Sequence, residues 1–181
     1  MIFPTETVYG IGTSVFSRPG IRRIYALKGR RERKPLALLV HSLAAAKPLL
    51  ESIPAEAERL AKRFWPGPLT LIFKASSLGR LVTGGLATIG VRIPDHPVAL
   101  ALLKAVGVPL ATTSVNRSGQ KPAVSGVQAA KLFGKKVEFL IDGGTCRVKT
   151  ASSVIDLSHY PFMVIREGAI SKKVLETEVF R

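Results

Sequence analysis

The 181-residue sequence predicts a single α/β domain, built on an open, twisted, mixed β-sheet with flanking helices. Two observations predict this fold. Short apolar runs rich in Val, Ile, Leu and Phe alternate with amphipathic stretches of helical period. Helical stretches separate the early runs, whereas the late runs follow one another directly, which favours a mixed sheet. The length suits one domain, which we expect to extend over residues 1–181.

Eight segments have the length and apolar content of short strands. They are residues 1–3, 36–40, 69–73, 89–93, 109–112, 137–141, 153–157 and 162–166. Strand alternation places Thr88, Gly90 and Arg92 on one face of the sheet. Arg92 then points either to solvent or to a ligand anion, and it could clamp a carboxylate if that face lines a cleft.

Five helical patterns accompany these strands, near residues 17–28, 54–65, 95–106, 125–133 and 171–179. Ser17 and Pro19 begin the first helix, and Ser52 is the expected cap of the second. The third is apolar nearly all round, which predicts a buried helix. In the fourth, Ser125 and Gln128 have the spacing of a capping box.

The composition is that of an ordinary globular protein. Hydrophobic residues make up 46% of the chain and charged residues 22%, which excludes disorder as the main state. The one cysteine, Cys146, excludes an internal disulfide and any CxxC zinc site, and the three histidines have no metal-ligand spacing. Because there is neither an apolar run of ~20 residues nor a signal-peptide pattern, we expect a cytoplasmic protein outside the membrane.

The net charge is strongly positive. Twenty-seven Lys and Arg residues against 12 Asp and Glu residues give a formal charge of +15 at pH 7. Such a chain favours anionic partners, namely nucleotides, phosphates or RNA. Few aromatic residues lie among the basic runs, which argues against a platform for stacking single strands. The alternative is a basic surface that serves only solubility.

The standard nucleotide-binding signatures are absent from the sequence, since it has no GxxxxGK[ST] and the GIG at 10–12 lacks a third fingerprint glycine. Polar residues cluster instead at the ends of predicted strands. The first cluster, PTETVYGIG at 4–12, combines hydroxyls, a carboxylate and a phenol beside a glycine-rich turn. It could hold a small polar ligand or form an ordinary turn between a strand and a helix.

Three further clusters follow the same pattern. Residues 28–34 hold five cations in seven positions, which suits either a phosphate site or the cationic end of a helix. Residues 112–119, TTSVNRSG, place hydrogen-bonding side chains after an apolar run, and the alternative there is a turn that satisfies its own backbone. Ser152 and Ser153 lie at the start of a late strand.

Eight segments, in chain order, carry a family resemblance. They are PTETVYGIG at 4–12, YALKGR at 25–30, KPL at 34–36, FWPGPLT at 64–70, VRIPDHP at 91–97, the SxN and SG of 114–119, SSVIDL at 152–157 and IREGAI at 165–170. Together they resemble the YrdC-like family, the threonylcarbamoyl-AMP synthases, along nearly the whole chain.

The resemblance implies a positively charged cavity in which L-threonine, bicarbonate and ATP give threonylcarbamoyl-AMP and pyrophosphate. A partner enzyme would then transfer the threonylcarbamoyl group to the adenosine next to the anticodon of tRNA. Attack of a carbamate on the α-phosphate needs positioning and charge neutralisation more than an acid–base residue. Mg²⁺ is expected to accompany the triphosphate through its phosphate oxygens, with no metal site formed by the protein alone.

The resemblance also implies roles for individual residues. The catalytic set is Lys28, Arg30, Ser114 and Asn116, with Lys28 near the phosphates. The ATP-binding set is Arg30, Lys34, Thr88, Thr112, Ser114 and Arg166. The threonine-binding set is Thr7, Arg92, Thr112 and Ser152.

The sequence departs from the family pattern at Leu39, Arg117 and Ala151. The family's N-terminal helix and part of its first strand are also expected to be missing, because the PTET motif begins at Pro4. Two other functions stay open. The same fold could bind double-stranded RNA or tRNA without catalysis, or it could act on another carbamoylated or phosphorylated small molecule.

Overall fold

The computed structural model describes residues 1–29 and 35–180. Its eight strands are β1 Ile2–Phe3, β2 Gly10–Ser14, β3 Ala37–Leu39, β4 Leu69–Lys74, β5 Thr88–Arg92, β6 Leu110–Ser114, β7 Ser153–Asp156 and β8 Met163–Arg166. They form one sheet in the order β1-β2-β6-β3-β5-β4-β7-β8. β3 pairs in parallel with β5, and β4 with β7, while the other neighbours are antiparallel. The predicted mixed α/β sheet is therefore confirmed.

Seven α-helices flank the sheet in the described part of the chain. They are α1 Arg18–Lys28, α2 Leu43–Ala46, α3 Ala55–Phe64, α4 Ser77–Thr83, α5 Pro97–Val106, α6 Gly126–Phe133 and α7 Lys172–Val179. The sequence did not predict α2 and α4, because helices of four and seven residues are too short to show a clear apolar period. Among the residues described here, no helix has the length and apolarity that crossing a bilayer requires.

Local sequence explains how α1 begins and ends and how α6 begins. Ser17 Oγ accepts a hydrogen bond from Gly20 N at the start of α1. Gly29 follows α1 in the left-handed conformation, with φ 57°, which glycine adopts without strain. Ser125 Oγ accepts from Gln128 N at the start of α6, as predicted.

Two expectations about helices are wrong. Ser52 does not cap α3, because Pro54 occupies the cap position and pre-sets the backbone for the helix. The helix α5 is not buried all round, since only Ala99 and Leu103 are buried in it and Val106 is 38% exposed. Its mostly apolar composition therefore overstates its burial.

Two expectations about strands are also corrected. Residues 10–14 form β2 rather than a turn, and Gly12 suits this strand because a Cβ there would lie 2.8 Å from Thr112 Oγ1. Residues 137–141 do not form a strand, and they make a single isolated bridge between Leu140 and Ile2. The neighbouring strand β1 is only two residues long and offers no further pairing.

The two faces of the sheet pack against different hydrophobic clusters. Residues of one face belong to the main hydrophobic cluster, among them Leu38, Leu71, Val91, Ala111 and Ile155. On the other face, a smaller cluster lies under α5 and contains Phe3, Leu39, Ala99, Leu103 and Leu110. The rest of this second face is mostly polar or small, with Ile72 and Val154 as apolar exceptions, and the candidate site lies there.

Candidate active site

A cavity of about 410 Å³ lies on the polar face of the sheet. Its floor is formed by alternate residues of the central strands, including Thr70, Ile72, Thr88, Gly90, Arg92 and Thr112. Alternate residues of a strand share a face, so the predicted alignment of Thr88, Gly90 and Arg92 is confirmed. The segment before β2 also contributes Thr5 and Tyr9 to the wall.

The strand register separates the cavity into two ends. Thr112 on β6 is level with Ala37 on β3, and Arg92 on β5 is level with Leu39. Since β3 and β6 are antiparallel, Ser114 lies four residues along the sheet from the level of Arg92, roughly 13 Å at the usual rise per residue. The cavity therefore has a Ser114 end and an Arg92 end.

Each end gathers further hydroxyl groups. Thr88 lies three residues before Val91, which is level with Leu38, and this places Thr88 at the Ser114 end. At the Arg92 end, the hydroxyl oxygens of Thr70 and Ser152 are 2.9 Å apart. The cavity therefore presents polar groups at both ends.

Arg92 is buried and held from behind. Its Nε donates to Gly67 O at 3.0 Å, and its Nη2 donates to Thr7 Oγ1 at 2.9 Å. Nη2 also lies 2.7 Å from Glu6 Oε1, in an ion pair whose side chains are 8% and 2% exposed. Arg92 Nη1 has no hydrogen bond to any residue that the structure describes, and it remains available to a ligand.

At the other end, a buried network lies behind Ser114. The Lys28 ammonium donates to Asn116 Oδ1 at 2.8 Å, to Asn116 O at 2.9 Å and to the backbone oxygen of Ser114. Ser114 Oγ is 2.6 Å from Asn116 Oδ1. Asn116 Nδ2 donates to Arg117 O and Gln120 O, which closes the turn after β6.

The two serines at the start of β7 have different roles. Ser152 lines the cavity, and Arg166 donates from Nε and Nη2 to its backbone oxygen at 3.0 and 2.7 Å. Ser153 points away from the cavity, and its Oγ donates to Ile170 O and accepts from Ile170 N. Ser153 therefore fixes the loop after β8. Ser152 lines the cavity, and its hydroxyl is held by Thr70 and by Arg166 Nη2, which donates to it at 3.2 Å.

Most of the predicted site residues come together in this structure. Those that line the cavity are Thr88, Arg92, Thr112, Ser114, Ser152 and Arg166. Thr7, Lys28 and Asn116 lie behind the cavity wall, and each of them bonds to a residue that lines it. Arg30 and Lys34 lie outside the described residues, 1–29 and 35–180.

The sequence pattern predicts no individual role for two residues of the site, Glu6 and Thr70. Glu6 supports Arg92 from behind, and Thr70 bonds to Ser152. The alternation of β4 places Thr70 on the cavity face with Ile72, so a signal for Thr70 was present. The pairing of Glu6 with Arg92 joins two distant motifs and leaves no local signal.

Burial shifts the pKa of two titratable groups near the site, Tyr9 and His96. Burial raises the pKa of Tyr9 above its usual 10.0, so this phenol stays protonated at neutral pH. Burial lowers the pKa of His96 below its usual 6.5, so this imidazole is neutral at pH 7. The charged groups among the lining residues that the structure describes are Arg92 and Arg166, which suits anionic ligands.

Comparison with known proteins finds a family model and relatives that match most of the chain. The Sua5/YciO/YrdC family model, described as "Telomere recombination", matches residues 1–168. A threonylcarbamoyl-AMP synthase of Pyrococcus abyssi (strain GE5 / Orsay) is 42% identical over 175 residues, which are 96% of this chain and 52% of that protein. One of Bacillus subtilis (strain 168) is 36% identical over 179 residues, which are 98% of this chain and 52% of that protein. The chain thus spans about half the length of these curated relatives.

Two solved structures have the same fold. P. abyssi Sua5 complexed with L-threonine matches with a TM-score of 0.92 and 42% identity, covering 98% of this chain and 52% of that one. E. coli YciO matches with a TM-score of 0.78 and 26% identity, covering 96% of this chain and 84% of that one. Since the family model covers most of the sequence and the fold agrees, the chain belongs to the Sua5/YciO/YrdC family.

Proposed function

We propose that this chain is a nucleotidyltransferase that converts L-threonine, bicarbonate and ATP to threonylcarbamoyl-AMP and pyrophosphate. The two-ended cavity carries this proposal. One end holds a buried arginine with a free donor, and a second polar end lies roughly 13 Å away. A relative with 42% identity is named threonylcarbamoyl-AMP synthase, and its structure was solved with L-threonine.

In this proposal, the Arg92 end receives threonine. Arg92 Nη1 donates to the carboxylate, while Thr7 and Glu6 hold the guanidinium in place. Ser152 and Thr70 offer hydroxyl groups to the polar part of the amino acid. The planar guanidinium suits a carboxylate better than a point charge would.

The Ser114 end receives the nucleotide. Thr88, Thr112 and Ser114 face it from the floor of the cavity. Arg166 is level with Val154 and Thr70, toward the Arg92 end, and we assign its positive charge to the nucleotide from that side. We assign Arg30 and Lys34, outside the described residues, to the phosphates. Mg²⁺ held by the phosphate oxygens is part of this proposal. The positive charge would make the cavity a favourable place for the triphosphate.

The reaction needs two bonds to form in sequence. The threonine amine attacks the carbon of bicarbonate, and loss of water leaves a carbamate. A carbamate oxygen then attacks the α-phosphorus of ATP, and pyrophosphate leaves with the electrons of the broken P–O bond. Holding the carboxylate at one end and the nucleotide at the other converts this into a reaction between fixed neighbours. Cationic side chains offset the charge that develops on the phosphates.

The test is pyrophosphate release from ATP and bicarbonate, measured with and without L-threonine. We expect release that depends on threonine, and we expect Arg92→Ala to abolish that dependence. Arg59→Ala is the control, because Arg59 is on α3, which packs on the main core, and its side chain is 47% exposed. Threonine-independent release, or release unaffected by Arg92→Ala, would contradict the proposal.

The product has a mixed carbamic–phosphoric anhydride, which is reactive in water, so a partner must consume it promptly. We propose that this partner is an enzyme that transfers the threonylcarbamoyl group to tRNA, in the cytoplasm.

The net charge of +15 supports a second candidate function, binding of double-stranded RNA or tRNA. It predicts that the logarithm of the binding constant falls steeply with the logarithm of salt concentration. Filter binding of a tRNA and an RNA duplex at several salt concentrations tests it. A flat response would exclude this function, and the result does not depend on catalysis.

A further inference from the structure

The contact between Ser114 and Asn116 fixes the position of a proton. Ser114 Oγ lies 2.6 Å from Asn116 Oδ1. An amide oxygen has no proton to donate, so the Ser114 hydroxyl must be the donor. If the hydroxyl proton pointed elsewhere, two oxygen lone pairs would face each other at this short distance. The Ser114 proton therefore points toward Asn116.

The orientation of the Asn116 amide is itself fixed by its partners. Nδ2 donates to Arg117 O at 2.9 Å and to Gln120 O at 2.8 Å. A reversed amide would place its oxygen against these two carbonyl oxygens and its NH₂ group against the Lys28 ammonium. Both contacts would be repulsive, since the carbonyls only accept and the ammonium only donates.

Lys28 completes this arrangement without reaching the cavity. It is 3% exposed, and its ammonium donates to three oxygens, two from Asn116 and one from the backbone of Ser114. Lys28 and Asn116 are not among the residues that line the cavity, whereas Ser114 is. The positive charge of Lys28 therefore acts on the turn behind the site.

We propose that Lys28 and Asn116 are positioning residues that turn the Ser114 proton away from the cavity. This inference rests on the proposed function, in which ATP binds at the Ser114 end. Ser114 then presents only lone pairs to the nucleotide. It recognises a hydrogen-bond donor, a ribose hydroxyl or the adenine amino group, and it does not contact a phosphate oxygen.

The proposal is tested by binding, without catalysis. Calorimetry measures the affinity of the wild type and of Ser114→Ala for five ligands. They are ATP, 2′-deoxy-ATP, 3′-deoxy-ATP, the purine riboside triphosphate that lacks the amino group, and inorganic pyrophosphate. We expect Ser114→Ala to weaken ATP binding roughly two- to tenfold, the range for one neutral hydrogen bond, and to leave pyrophosphate binding unchanged. One analogue should bind the wild type weaker than ATP by a similar factor, and Ser114→Ala should bind both equally. That analogue identifies the donor.

Ser118→Ala is the matched control. Ser118 is an exposed serine of the same turn, and its side chain is outside the cavity. It should bind every ligand as the wild type does. The proposal would be overturned if Ser114→Ala weakened the binding of ATP and of pyrophosphate equally. It would also be overturned if the wild type and Ser114→Ala showed the same ratio of ATP affinity to analogue affinity for every analogue.

The positioning role of Lys28 has its own readout. We expect Lys28→Met to weaken ATP binding in the wild-type background, but to add little when Ser114 is already Ala, because it acts through that hydroxyl. Equal effects in both backgrounds would show that Lys28 contacts the nucleotide itself. If Lys28→Met does not fold, the Ser114→Ala comparison still decides the proposal. Binding of ATP without turnover would contradict only the proposed reaction, whereas no ATP binding by the wild type would overturn both.

Discussion

Glu6 Oε1 and Arg92 Nη2 form an ion pair of 2.7 Å that is almost completely shielded from water. The pair joins the segment before β2 to the end of β5, and Arg92 faces the cavity while Glu6 lies behind it. Glu6 places a counterion beside the buried guanidinium, and it fixes the direction in which the guanidinium points. The arginine is thereby oriented before any ligand arrives.

Removing the charge of Glu6 should therefore destabilise the protein. Glu6→Gln leaves the Arg92 guanidinium buried without its counterion, and we expect a loss of about 3–5 kcal/mol in the free energy of unfolding. Urea denaturation measures this loss. Threonine binding should also weaken, because the arginine is held less firmly.

The matched control is Glu176→Gln. Glu176 forms an exposed ion pair with Lys172 at 3.5 Å, and its side chain is 46% exposed. We expect this change to alter the free energy of unfolding by less than ~0.5 kcal/mol. Equal losses of unfolding free energy in Glu6→Gln and Glu176→Gln would show that the buried pair stabilises the fold no more than the exposed pair does.

Arg92→Lys should weaken threonine binding at the Arg92 end without weakening ATP binding at the Ser114 end. A single ammonium cannot contact Gly67 O, Thr7 Oγ1, Glu6 and a ligand carboxylate in the way that a planar guanidinium can. We expect threonine affinity to fall by roughly tenfold or more, the value of a charge-assisted hydrogen bond, with ATP affinity nearly unchanged. Calorimetry with each ligand alone provides the measurement. An equal loss of threonine and ATP affinity would show instead that Arg92 maintains the structure of the whole cavity.

The sequence predicted the parts of the fold that depend on local pattern. Alternation placed Thr88, Gly90 and Arg92 on one face, and the spacing of Ser125 and Gln128 predicted the start of α6. Both signals act within a few residues, so one segment is enough to read them.

The parts that it missed depend on partners far along the chain. β2, with the sequence GIGTS, is a strand because β1 and β6 pair with it on both sides, and its glycines give little intrinsic preference. Residues 137–141 have strand composition but find only a two-residue neighbour. The support of Arg92 by Glu6, and of Ser114 by Lys28, likewise appears only when the sheet has assembled.

Gly168 should be intolerant of a side chain because it lies against the backbone beside the Arg92 end. A Cβ at Gly168 would lie 2.3 Å from Ala151 O and 2.6 Å from the carbonyl carbon of Ser152. We expect Gly168→Ala to cost about 1–3 kcal/mol in the free energy of unfolding, measured in urea, and to weaken threonine binding.

Gly134→Ala provides the comparison for this prediction. Gly134 has φ −54°, and a Cβ there would meet its nearest neighbour, Ala130 Cβ, at an ordinary 3.4 Å. The change should leave stability unaltered or raise it by about 0.4–1 kcal/mol, since alanine restricts the unfolded chain. A loss from Gly134→Ala as large as that from Gly168→Ala would mean that the close approach of Gly168 is not the cause.

His96 should make the stability of the protein depend on pH. Burial holds its pKa below the usual 6.5 in the folded chain, although the negative charges of Glu6 and Asp95 act in the opposite direction. In the unfolded chain His96 takes up a proton near its usual pKa, so the unfolded state binds more protons between the two values. The free energy of unfolding therefore falls as the pH drops from about 7 through the folded pKa.

Urea denaturation at about pH 7.5 and about pH 5.5 measures this loss of unfolding free energy. The loss should be smaller for His96→Gln than for the wild type, because the variant lacks the group that takes up this proton. The same drop in both proteins would show that His96 does not contribute, and that other groups set the acid sensitivity.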